Sequence, residues 1–72
     1  MFKETRKKYN LKQIEMAEIL EVNQNMISQY ETGIKKPGFD ILFRFHKKFG
    51  IEELTKELNK EFEKMKNEEN KN

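Results

Sequence analysis

The sequence predicts an all-α protein: one compact domain of five helices, the last of them an extended C-terminal helix. Three observations lead there. Apolar residues recur at helical spacing in every segment, most plainly in Ile51, Leu54, Leu58, Phe62 and Met65. The segments are separated by Asn10, by Glu21-Val22-Asn23, by the run from Thr32-Gly33 to Pro37-Gly38, and by Gly50, where helices end or turns form. Finally, 72 residues with 35% hydrophobic content allow only one thin core, which closely packed helices stabilise best without staples.

The first helix is short and basic, Met1 to Tyr9, with Phe2, Arg6 and Tyr9 at helical spacing among Lys3, Lys7 and Lys8. The second spans Lys12 to Leu20 and turns Met16, Ala17 and Leu20 inward; Ile14 and Ile19 lie off that stripe and are assigned to the core. Asn23 suits the N-cap of a third helix, because its side-chain oxygen can accept the first free N–H groups, and Gly33 suits its left-handed end. The fourth helix, Phe39 to Phe49, carries Phe39, Leu42, Phe45, His46 and Phe49 on one face and should centre the core. Phe39 and Phe43, with Ile34 and Ile41, either join that core or leave an apolar patch beside the preceding loop. The fifth helix has a single apolar stripe on a charged background, supported by pairs such as Glu52 with Lys56 and Glu57 with Lys60. Such a stripe must bury itself against its own domain or a second copy. The ending, NEENKN, should fray.

Composition excludes several classes of function. With no cysteine, disulfides and thiolate-metal sites are out, and a reducing interior is favoured. No apolar run approaches the ~18 residues of a membrane span, and no signal peptide is visible, so a cytoplasmic protein with no membrane partner is expected. The single histidine, His46, has no second His or Cys to complete a ligand set, and it reads as a packed or half-exposed residue of the core. No nucleophile-base arrangement or glycine-rich phosphate loop is present. The reading is therefore not an enzyme, with no cofactor, no metal and no evident small-molecule ligand. Charge is unevenly spread: residues 1–50 hold ten Lys/Arg and six Asp/Glu, whereas residues 51–72 hold five Lys and seven Glu. That split suits an anionic partner contacted by the N-terminal two-thirds.

The stretch Lys12 to Gly33 carries the functional signal. At about 100° per residue, Ile27, Tyr30, Asn23 and Met26 gather on one side of the third helix, with Asn25, Ser28, Gln29 and Thr32 on the other. In a chain with 39% charged residues, an ordinary solvated face would carry Lys and Glu. This one is uncharged and rich in amides. Gln and Asn amides can pair with the N6 and N7 groups of adenine in the major groove, and Asn25 and Gln29, four apart, can act along one groove wall. Two short helices joined by a three-residue turn, the second polar outside, form a helix-turn-helix pattern.

From Phe2 to about Leu54 the chain resembles the phage repressor and Cro-type (Xre-like) DNA-binding domains. The resemblance rests on Leu11, Gln13, Met16-Ala17, Leu20, Val22, Ile27-Ser28, Tyr30-Glu31, Gly33, Lys36-Pro37, Leu42 and Phe49-Gly50-Ile51 at their full spacing. It implies a lambda-repressor-like five-helix domain over residues 1–55, with residues 56–72 a charged helical extension that is not typical of the family. It further implies that Gln13 contacts a phosphate and braces Gln24, the first base-contacting residue, with Asn25 and Gln29 next. Ser28, Thr32, Lys35, Lys36 and, secondarily to its capping role, Asn23 are expected on the DNA backbone, and Arg6 with Glu31 is expected to form a partly buried structural salt bridge.

Three positions depart from the family pattern. Glu21 replaces a frequent turn glycine, at a cost of roughly 1 kcal/mol if that position is left-handed. Lys12 replaces the usual Ser or Thr cap, and His46 stands where relatives prefer a small residue. Function thus reads as a bacterial or phage-encoded regulator, a repressor in the first instance, binding a palindromic operator on double-stranded DNA as a homodimer. The alternative is a protein-interaction module of antitoxin or anti-repressor type, working through the tail stripe. Leu58, Phe62 and Met65 are the dimerisation candidates; with Leu54 they form a stripe that DNA binding does not require and that motivates the alternative.

Overall fold

The computed structural model describes the backbone over residues 1–69 and side chains over residues 1–64. Five helices follow one another: α1 (Lys3–Lys8), α2 (Gln13–Leu20), α3 (Gln24–Thr32), α4 (Phe39–Phe49) and α5 (Ile51–Glu69). Their bounds follow local chemistry. After α1, Asn10 takes a left-handed conformation (φ 55°) that Asn tolerates, and the Leu11 N–H returns to the Arg6 carbonyl at 2.8 Å. Lys12 makes no side-chain cap, as expected, but the Glu15 carboxylate accepts the Lys12 N–H at 2.8 Å and supplies the missing partner from inside the helix. Gly33, at φ 79°, ends α3 in the left-handed region that glycine enters without steric cost.

The core contains Phe2, Met16, Ala17, Leu20, Ile27, Tyr30, Ile41 and Phe45. Its centre is Phe2, stacked on Phe45 at 4.7 Å and edge-on to Tyr30 at 5.9 Å. Phe45 continues through Phe49 to Tyr9 in a row of tilted rings. Burial of side chains this large stabilises by about 1.5–3 kcal/mol each.

The burial phase of α4 differs from the expected one. Phe39 is 86% exposed and Phe43 is exposed too, while Ile41, off the anticipated face, is buried. Apolar residues occupy so wide an arc of this helix that periodicity cannot choose its centre, and packing against α2 selects the Ile41–Phe45 side. His46 is half-buried. Ile34, Phe39 and Phe43 are therefore each exposed and outside the core. On α2, Ile19 packs at the margin of the core, but Ile14 is 45% exposed, outside the core to which it was assigned.

α5 joins the domain through carboxylates as much as through its stripe. Glu57 does not pair with Lys60: it is 4% exposed and accepts the Phe2 N–H at 2.9 Å and the Thr5 hydroxyl at 2.7 Å. It thus satisfies the first free donor of α1 from 55 residues away and holds Phe2 in its left-handed conformation (φ 76°). Lys60 pairs with Glu4 instead. Glu53 pairs with Lys8, whose ammonium holds that carboxyl below the usual carboxylate range. Leu54 and Leu58 are half-buried, Phe62 is 69% exposed, and the side chain of Met65 lies outside the described residues. Of the ending expected to fray, α5 stays helical to Glu69, and residues 70–72 lie outside the described residues.

Replacing Glu57 with Ala should strand two buried donors. A loss of roughly 2–3 kcal/mol is expected from urea unfolding.

Candidate nucleic-acid interface

α3 is held from both ends, and its outward side is left free. At its start, Asn23 Oδ1 accepts the Met26 N–H at 2.9 Å. Capping engages only that oxygen, so the Asn23 amide N–H₂ keeps its donors for an external acceptor. Along its inner side, Ile27 and Tyr30 are buried in the core. Burial, and then the charge of Asp40, push the Tyr30 hydroxyl above its ordinary pKa. At its far end, Glu31 takes two hydrogen bonds from Arg6, from Nε at 2.8 Å and from the second guanidinium nitrogen at 3.1 Å. The remaining guanidinium nitrogen donates to the Leu11 carbonyl at 2.9 Å. Hydrogen bonding to Glu31 raises the Arg6 pKa above its ordinary value. With the Glu31 side chain 5% exposed and that of Arg6 16%, the pair is shielded enough to fix geometry.

A row of polar contacts leads from this pair to the exposed face. Gln13 Nε2 points to Glu31 Oε1 at 3.4 Å, and Gln24 Nε2 to Gln13 Oε1 at 3.5 Å. Both contacts are long and weak, which suits side chains that can still be recruited by a partner. Gln24 and Asn25 are exposed, Ser28 and Gln29 half-exposed. Thr32 is exposed, but its hydroxyl donates back to the Ser28 carbonyl at 3.0 Å, so only its acceptor side faces outward. The following loop is tied to α3 by the Lys35 N–H on the Gln29 carbonyl at 3.2 Å. Lys35 and Lys36 are exposed there, the Lys35 ammonium lying 3.9 Å from Met26 Sδ.

Behind the interface, the α2–α3 turn depends on a residue that pattern reading missed. Glu21 is left-handed (φ 58°), the strained geometry anticipated for a non-glycine there. Arg44, from α4, donates to the Leu20 carbonyl at 3.1 Å and lies 3.5 Å from the Glu21 carboxylate. It closes the end of α2 and neutralises the turn. Spacing holds no trace of this contact, because the two residues meet only after α4 has packed. An open groove of about 460 Å³ runs between the α3–α4 loop and α5, with Tyr30, Leu42, Leu58 and Phe62 as apolar lining. Among the described residues, no cluster of His, Cys, Asp or Glu could hold a metal ion, and no helix is long and apolar enough to cross a membrane.

Two short helices, a braced turn and an amide-bearing second helix define a helix-turn-helix DNA-binding domain. A helix-turn-helix family profile of the Cro/Xre type matches residues 2–55, and the chain belongs to that family. It is a family of DNA-binding regulatory domains rather than of enzymes. No curated protein and no solved structure matches the chain.

Glu21→Gly should relieve left-handed strain while giving up an exposed ion pair of small value, for a net gain of up to about 1 kcal/mol by thermal or urea unfolding.

Proposed function

We propose that this regulator binds a specific, roughly palindromic operator as a homodimer and represses transcription by occupying it. The observation that carries the reading is the uncharged amide row Gln24, Asn25 and Gln29, turned outward on a helix whose other side is buried and whose end is clamped by Arg6 and Glu31. In this reading α3 enters the major groove and those three amides contact base edges. Gln13, Asn23, Ser28, Lys35 and Lys36 position the domain on the backbone, with Thr32 limited to accepting a hydrogen bond. Arg6 and Glu31 act structurally. A two-fold dimer would place two copies of α3 about one helical turn apart, ~10 bp.

Dimerisation is supported by apolar surface that the monomer leaves uncovered: Phe62 on α5, with Leu58 half-buried beside it, and Ile34, Phe39 and Phe43 near α4. The same surface supports the second reading, a protein-interaction module of antitoxin or anti-repressor type. Selection of bound duplexes from a random pool separates the two, because only the first yields a symmetric site.

On such a site, Gln24→Ala should cost about 1–3 kcal/mol and relax discrimination at one base position, whereas Lys36→Ala should weaken selected and random duplexes nearly equally. Unchanged discrimination in Gln24→Ala, measured by competition binding, would remove α3 as the reading element. In sedimentation, Phe62→Glu should shift the chain towards monomer; an unaltered dimer would exclude this stripe from assembly.

A further inference from the structure

We infer that Lys64, on α5, is a further phosphate-contacting residue, so that the DNA-binding surface extends past the helix-turn-helix onto the C-terminal helix. The inference rests on the DNA-binding reading above and adds to it a residue outside the span 2–55 matched by the family.

Lys64 belongs by sequence to a segment with more Glu than Lys, which alone would be repelled by a polyanion. Its place in the fold reverses that expectation. On α5, Glu53, Lys56, Glu57, Lys60 and Glu63 line a concavity on the α1 side, whereas Lys64 lines a second groove with Lys35 and Lys36. The Lys64 ammonium lies 3.6 Å from where a β-carbon on Gly33 would stand, directly at the end of α3. Three lysines from two separate parts of the chain therefore line one groove. The carboxylate that also lines it, Glu61, lies 4.0 Å from the Met1 ammonium.

A bland account of Lys64 is attraction to the negative end of the α3 dipole. That accounts for one cation in the last turn but not for a groove shared with two more, which repel it. A phosphate beside the Lys35–Lys36 loop would remove that repulsion, and the flexible Lys64 stem reaches the same side.

The test is binding of the full chain to a selected and to a random duplex by fluorescence anisotropy, across about 50 to 200 mM salt. Lys64→Gln should make the slope of log affinity against log salt shallower by about 0.9 and weaken both duplexes by the same factor. Lys64→Arg should keep the parent slope. Because the side chain is exposed, the melting temperature should stay that of the parent. If Lys36→Gln flattens the slope and Lys64→Gln does not, the role of Lys64 is overturned while the DNA-binding reading stands. If neither variant flattens it, both fail together.

Discussion

The direction in which α3 faces depends on one ion pair. Glu31 lies near the end of that helix and Arg6 on a helix that precedes the helix-turn-helix, so their two hydrogen bonds tie α3 to an element outside the motif. The forked guanidinium matches the carboxylate in two places and so fixes angle as well as distance. Its third nitrogen holds the Leu11 carbonyl, which fixes the approach to α2. From the same carboxylate the weaker contacts run outward through Gln13 to Gln24. Rigidity is thus greatest at the buried end and relaxes towards the solvent. A surface that must adapt to base edges needs that gradient.

A second constraint joins the N-terminal segment to α5. Glu57 fills the donor-rich start of α1, and Phe2 fills the centre of the core beneath it. Meanwhile the Met1 ammonium donates to the Tyr30 carbonyl at 2.6 Å, in the last turn of α3. The C-terminal helix is therefore connected to α3 through the first two residues of the chain. Leu54 and Leu58 lie only half-buried along the seam, so polar contacts carry much of the attachment. In a chain with so thin a core, a buried carboxylate with satisfied partners is an effective substitute for apolar area, although it is intolerant of losing either side.

Helix positions, the cap at Asn23, the glycine end of α3 and the amide face were all legible, because each is written within a few consecutive residues. The strain at Glu21 was legible only through the resemblance, because relatives frequently carry glycine at that turn. The phase of α4 was not: Phe39, Leu42, Phe43, Phe45 and Phe49 overfill one side of a helix, and only tertiary packing decides that Ile41 goes inward while Phe39 stays out. Glu57 and Arg44 were illegible for a different reason. A carboxylate or guanidinium beside an apolar stripe looks the same in sequence whether it meets water or a partner dozens of residues away. The same holds for Lys64, which follows Glu63 in the chain and lines a groove with Lys35 and Lys36.

The bond from Phe2 to Glu57 also has a kinetic meaning. It closes a loop of 55 residues, whereas α2 and α3 lie next to each other in sequence and share an extensive contact. Loop-closure entropy favours assembly of the near neighbours before distant ones. The order of events that follows is a hairpin of α2 and α3 first, then α4, with α1 and α5 meeting last. Loosening that final seam would accelerate unfolding far more than it would slow folding. Resistance to proteases and the lifetime of the native state would then be governed by the seam between α1 and α5, not by the motif.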